Sequence, residues 1–243
     1  MTVPEQIEII TAKLKELDKL GKKKPHTRYT LADGTVIPST TTINSNNLGW
    51  NKYILIKWSK KMQRENKDSE AFTEVSARIG TLAHYFAECY VKKEPIDREM
   101  VAAEYLVEEV KIAKTAYQGF KKWADKHNPI FKHSEVQLVS EEYKYGGTID
   151  LILEVDGKLC IYDIKTSNSV HTEMILQLAA YRHLYEANYA LKITSATIIK
   201  ISKDEPEYEL HYVDSDMLDK GWEAFKSLIT INRMHDELKF SRI

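Results

Sequence analysis

Apolar residues recur along this chain with two different periods, and the alternation between them outlines a fold. Over residues 3–20, Ile7, Ile10, Leu14 and Leu17 return at the spacing of one helix face. Residues 71–93 and 98–127 read as two further helices. Residues 131–140 then read as a strand, and residues 147–155 and 158–165, rich in Ile, Leu, Val, Thr and Tyr, predict two more. A helix is expected near 170–187. ITSATIIKIS and EYELHYVD read as strands around a turn at 203–206, and a last helix runs from about 215 to 238. The pattern predicts an α/β fold, a mixed sheet flanked by helices.

The chemistry concentrates between residues 146 and 167, GGTIDLILEVDGKLCIYDIKTS. Asp156-Gly157 tolerates the positive φ angles of a tight turn, so the flanking segments are expected to pair as a hairpin with Val155 facing Lys158. That register sets Asp150 opposite Asp163, with Cβ atoms roughly 4.5 to 5.5 Å apart. Two facing carboxylates repel unless a cation lies between them. Lys165, two residues beyond Asp163, points to the same face. Alternating Asp and Lys usually mark a solvated strand face. Here Ile149, Leu151 and Leu153 on one strand, and Cys160, Tyr162 and Ile164 on the other, imply a sheet covered on both sides. Charges inside such a sheet need a partner or a metal.

The order G-G-T-I-D, D-I-K-T, Q-L-A-A-Y resembles the RecB-like branch of the PD-(D/E)xK nucleases, which also holds lambda-type exonucleases, CRISPR adaptation nucleases and a mitochondrial single-strand exonuclease. Upstream, G-T-L-A-H at 80–84 is similar to the branch's helical histidine motif. V-I-P-S-T-T-T-I at 36–43, followed by Trp58, is similar to the opening of many phage and bacterial members. The resemblance spans most of residues 28–185. It implies a restriction-endonuclease-like fold in one domain over residues 1–243, with an N-terminal helical elaboration and a nuclease core at about 28–213. It further implies that Asp150, Asp163, His84 and the backbone carbonyl of Ile164 bind metal. Glu135 corresponds to an acid that many members carry before the hairpin. Lys165 would orient the attacking water or stabilise negative charge, and Gln177 and Tyr181 would position the metal site and DNA.

Helix geometry adds to these roles. Gly80 and Glu88 lie one turn either side of His84, so Gly80 would permit close backbone approach and Glu88 would orient the imidazole. Gln177 and Tyr181, also four apart, would reach one place. Oxygen ligands with retained waters suit Mg²⁺, and the added imidazole is compatible with Mn²⁺. Either ion can supply phosphodiester hydrolysis with an activated water and charge neutralisation.

At 243 residues, with 43% hydrophobic and 29% charged residues, the chain is long enough for a substantial core and has an ordinary globular composition. No stretch approaches the roughly 20 apolar residues of a membrane span, and MTVPEQ lacks a signal-peptide pattern, so a cytoplasmic location is expected, the host cytoplasm if phage-encoded. Cys89 and Cys160 cannot form the four-cysteine iron–sulfur cluster of some RecB-like members. A net charge of −1 gives no global pull on nucleic acid, so local groups matter. GKKKPHTR, containing Lys23 and Arg28, is one basic run. Lys52, Lys57, Lys60, Lys61 and Arg64 form another around Tyr53 and Trp58. Phosphate contact is expected from at least one group. Trp58 is expected to face the core, with base stacking by it or Tyr53 the alternative. Ser39 and Thr41 belong to a hydroxyl cluster at residues 39–42 that can cap the next helix or bind phosphate, and Thr166 adjoins Lys165.

The expectation is a metal-dependent DNA exonuclease acting on ends, in recombination, repair or phage DNA metabolism. A structure-specific or guide-associated endonuclease is the alternative within enzymes, and a non-catalytic DNA-end-binding module the alternative outside them. The sequence contains no G-x-x-x-x-G-K-[ST] loop, so unwinding would need a helicase. A recombinase or single-strand annealing protein is a further expected partner.

Overall fold

The computed structural model describes residues 2–21, 27–50 and 52–238. Five strands form one sheet in the order β3 (Ile130–Ser140), β4 (Tyr145–Val155), β5 (Lys158–Lys165), β6 (Ile193–Ile201) and β7 (Tyr208–Val213). All neighbours are antiparallel except β5 and β6, which α7 (Thr172–Tyr189) connects as a parallel crossover. The mixed sheet expected from the sequence is therefore present, with the hairpin strands inside it and β5 at its centre.

Each sheet face buries its own core. Leu151, Leu153, Ile164 and Ile199 pack with α1 (Val3–Glu16), α4 (Ser69–Lys92) and α6 (Val107–His127). Ile152, Ile161 and Ile198 pack on the other side with α7 and α8 (Ser215–Glu237). Period-2 alternation feeds both cores, which explains the nearly continuous apolar runs. A small sheet of β1 (Tyr29–Thr30) and β2 (Val36–Ile37) leads into α2 (Thr40–Asn47), followed by α3 (Lys52–Arg64). No helix among the described residues is long and apolar enough to cross a membrane.

Two helices depart from their predicted limits. The first ends at Glu16 rather than 20, and Leu17, expected on the apolar face, is 54% exposed. The stretch 98–127 is two helices, α5 (Arg98–Glu104) and α6, separated where Tyr105 is extended. The cause is a buried ion pair. Glu109 in the first turn of α6 is fully buried, accepts from the Leu106 N–H at 2.8 Å and receives Arg78 of α4 through two nitrogens at 2.7 and 3.1 Å. A carboxylate placed to close a helix start and to meet a guanidinium from another helix forces a new start there.

Candidate active site

The hairpin pairs as its turn predicts from Val155↔Lys158 to Leu151↔Tyr162, and there the ladder stops. Asp150 and Asp163 do not continue it as facing residues, which corrects the expectation of a direct cross-strand pair. Asp150 Oδ2 instead accepts the Ile164 N–H at 2.8 Å. The reason lies in β3 and β4 together. Leu151 packs under α4 and α6, whereas Ile149, two residues earlier, packs under α7 and α8, so alternation breaks at Asp150. Across from it, between the pairs Ser134↔Leu151 and Val136↔Ile149, Glu135 has φ of +51°. A left-handed glutamate inside a strand is strained, and such strain persists where the surroundings demand it.

This distortion brings two carboxylates together, and α4 adds a third group. Ligand atoms of His84, Glu135 and Asp150 all lie within 4.8 Å of one another, with His84 Nδ1 3.6 Å from Asp150 Oδ2. Burial, then the Asp150 and Glu88 carboxylates, push the Glu135 carboxyl up to about 8. Asp163 stands deeper. It is 1% exposed, and neither of its carboxylate oxygens makes a directed hydrogen bond, although Lys165 Nζ lies 2.6 Å from Oδ2. Burial raises the Asp163 carboxyl to about 6 against the pull of Lys165. Burial would lower the Lys165 ammonium, but Asp163 and Asp150 outweigh it and raise it. One imidazole, two carboxylates clustered with it and a deeper third, Asp163, whose buried oxygens lack a hydrogen-bond donor, fit a hard divalent cation. An undercompensated negative site of this kind is what such an ion neutralises.

The supporting residues are partly where the motifs place them. Gln177 Nε2 donates to Tyr181 Oη at 2.7 Å, so the pair does converge, and Tyr181 is buried with its hydroxyl held protonated first by burial and then by the charges of Asp163 and Asp150. A Cβ on Gly80 would stand 2.9 Å from Thr166 Oγ1, so this glycine lets α4 approach the segment after β5. Glu88 does not sit behind His84. Lys92, one turn on, engages it at 2.5 Å, and Glu88 acts on the site only as a nearby negative charge. Tyr29, which no motif singled out, donates to or accepts from Thr148 Oγ1 at 2.8 Å and is one of the groups acting on Tyr181.

The double glycine of G-G-T-I-D is a matter of space. At Gly147 a Cβ would lie 2.6 Å from Tyr181 Cε1 and 3.1 Å from both Leu184 Cδ1 and Thr40 Oγ1. Gly147→Ala is therefore expected to lower the melting temperature, the overpacking amounting to about 1–3 kcal/mol, and to displace Tyr181. Thermal unfolding followed by circular dichroism checks this; an unchanged midpoint would mean that β4 and α7 separate without loss.

Ser39 caps α2 by accepting from the Thr42 N–H at 3.0 Å, and its hydroxyl also meets those of Thr41 and Thr42. Thr40 is buried and donates to the Gly146 carbonyl at 3.1 Å, tying α2 to β4. Arg28, Ser39 and Thr41 line one open groove of about 810 Å³. Lys23 lies outside the described residues. On α3 only Met62 is buried, and Trp58 is half-buried, edge-on to Phe72 at 6.0 Å. Tyr53 is 74% exposed. Cys89 and Cys160 are buried thiols.

The chain belongs to the PD-(D/E)XK nuclease superfamily, whose sequence profile matches residues 57–242. That match contains His84, Glu135, the hairpin, Gln177 and Tyr181, and leaves Arg28, Ser39 and Thr41 before it. Among curated relatives, mitochondrial genome maintenance exonuclease 1 of Mus musculus is 30% identical over 96 residues, covering 36% of this chain and 28% of its own. The Homo sapiens protein of that name is 23% identical over 197 residues, 77% of this chain and 55% of its own, so the chain spans about half the length of that relative. Among solved structures, an alkaline exonuclease from Laribacter hongkongensis shares 10% identity over 68% of this chain and 92% of its own, with a TM-score of 0.29.

Proposed function

We propose that this protein is a RecB-like, Mg²⁺- or Mn²⁺-dependent deoxyribonuclease that removes nucleotides from DNA ends. The convergence of His84, Glu135 and Asp150 beside the buried Asp163–Lys165 pair is the observation that carries the reading. His84, Glu135, Asp150, Asp163 and the Ile164 carbonyl would hold the ion, which supplies Lewis-acid polarisation of a phosphoryl oxygen and a more acidic bound water. Lys165 keeps its proton beside two carboxylates and presents a fixed positive charge to the phosphate. Asp150 both offers an oxygen to the ion and ties itself to the Ile164 N–H, which holds β5 at the site. Gln177 and Tyr181 brace the α7 side, while Arg28, Ser39 and Thr41 offer cation and hydroxyl contacts to the phosphate backbone along their groove.

In this reading residues 1–243 are one nuclease domain, cytoplasmic, supplied with opened ends by a helicase or working beside a recombinase or annealing protein. End-labelled linear DNA and covalently closed circles, each incubated with Mg²⁺, Mn²⁺ or chelator, test it. Metal-dependent loss of linear DNA with intact circles is expected. Cutting of circles would replace the exonuclease with an endonuclease, and binding without any cleavage would leave only an end-binding module.

A further inference from the structure

Between α2, α3 and α7 lies a cavity of about 280 Å³ that the chemistry above does not use. Its polar centre is Asn44, a residue 8% exposed. The Asn44 amide nitrogen donates to the backbone carbonyl of Glu173 at 3.4 Å, while Oδ1 has no partner. The orientation follows from that carbonyl, because turning the amide over would set two acceptors against each other. A buried amide oxygen without a donor is unfavourable until something in the cavity supplies one.

The rest of the lining narrows what that is. Leu48 and Leu55 give apolar walls, Lys52 adds a cation, and Gln177, the residue bonded to Tyr181, closes the side toward the active site. Thr41 lines both this cavity and the groove of Arg28 and Ser39, so the two adjoin. The volume is just under the roughly 300–1,000 Å³ of drug-sized ligand pockets. That volume suits one planar ring system. Each nucleobase carries an N–H donor on its pairing edge, and each has apolar faces.

We propose that this cavity receives one unpaired nucleobase of the DNA strand, its N–H edge donating to Asn44 Oδ1, its faces against Leu48 and Leu55, and Lys52 at an adjoining phosphate. The proposal rests on the deoxyribonuclease reading and deepens it: the strand must be single at this point, at a fixed distance from the scissile bond. A base held here sets register, and Gln177 connects it to the cleavage site.

The test is single-turnover cleavage, in Mg²⁺ or Mn²⁺, of single-stranded oligonucleotides that each carry one tetrahydrofuran abasic residue at successive positions. With the unaltered protein, one position relative to the scissile bond is expected to slow cleavage about tenfold, in keeping with the worth of a single base contact. Asn44→Leu is expected to slow the intact oligonucleotide and to show no further slowing when the abasic residue occupies that position. Uniform rates across all positions in the unaltered protein would overturn the pocket and leave the nuclease reading standing. Full abasic sensitivity retained in Asn44→Leu would overturn the role of Asn44. Failure of the unaltered protein to cleave any single-stranded oligonucleotide while it degrades linear duplex DNA would overturn the pocket alone, and failure on both substrates would overturn the nuclease reading with it.

Discussion

Lys165→Ala is expected to reduce metal-dependent cleavage by about two to three orders of magnitude or more, the usual consequence of removing a fixed positive group from a site of developing charge. The variant should nonetheless fold. Its partner Asp163 is 1% exposed, and an orphaned charge at such a depth would be strongly destabilising, but the Asp163 carboxyl is already raised by burial and, until an ion displaces it, takes up a proton once Lys165 is gone. Asp150→Asn separates metal binding from charge delivery. The asparagine oxygen can still accept from Ile164 N–H, so β5 stays in place, while the loss of a carboxylate weakens the ion's hold. Parallel measurement of cleavage rate and of Mn²⁺ affinity by titration calorimetry is therefore expected to show Lys165→Ala losing rate with metal binding retained, and Asp150→Asn losing both. Cleavage by Lys165→Ala within a few-fold of the unaltered protein would remove that residue from the chemistry.

Much of this site could be read from one dimension, for identifiable reasons. A two-residue Asp-Gly turn dictates register over the pairs nearest to it, and those pairs are as predicted. Spacing of four on a helix makes Gln177 and Tyr181 neighbours, and they are bonded. The failures begin where a third element intervenes. Asp150 and Asp163 cease to face one another because β3 carries a left-handed Glu135 opposite Asp150, and nothing in the hairpin's own residues encodes that. Glu88 has two candidate partners at helical spacing, His84 behind and Lys92 ahead, and the full charge of the lysine wins. The break between α5 and α6 contains no glycine or proline; Arg78, about thirty positions away, makes it. Asn44 is invisible in the same way, because its cavity is assembled from α2, α3 and α7.

The strained glutamate leads to the second large effect, a stability that falls as pH rises when metal is withheld. In the unfolded chain the Glu135 carboxyl ionises near 4.5, whereas in the fold burial and the neighbouring carboxylates hold it protonated up to about 8. Between those values the unfolded chain sheds a proton that the folded chain keeps. The stabilisation is thus fully present below 4.5, declines across the interval and is lost above 8. Asp163, raised from 3.8 to about 6, adds to the lower half of the same decline. Together they amount to something on the order of a few kcal/mol. Carboxylates held low, such as Asp68, which accepts from the Ala71 N–H and from Lys15, act at more acid pH and do not mask the effect. In chelator, the melting temperature is therefore expected to drop from pH 5 to pH 8. Mg²⁺ or Mn²⁺ should reverse the drop, by more at pH 8 than at pH 6, because below about 8 ligation must first displace the Glu135 proton. Glu135→Gln should flatten the upper half of the slope and shrink the metal-induced gain. Parallel pH profiles for the two proteins in chelator, with the difference between them flat from pH 6 to 8, would show that Glu135 ionises as freely in the fold as out of it, and an undiminished metal-induced gain in Glu135→Gln would take it out of the metal site.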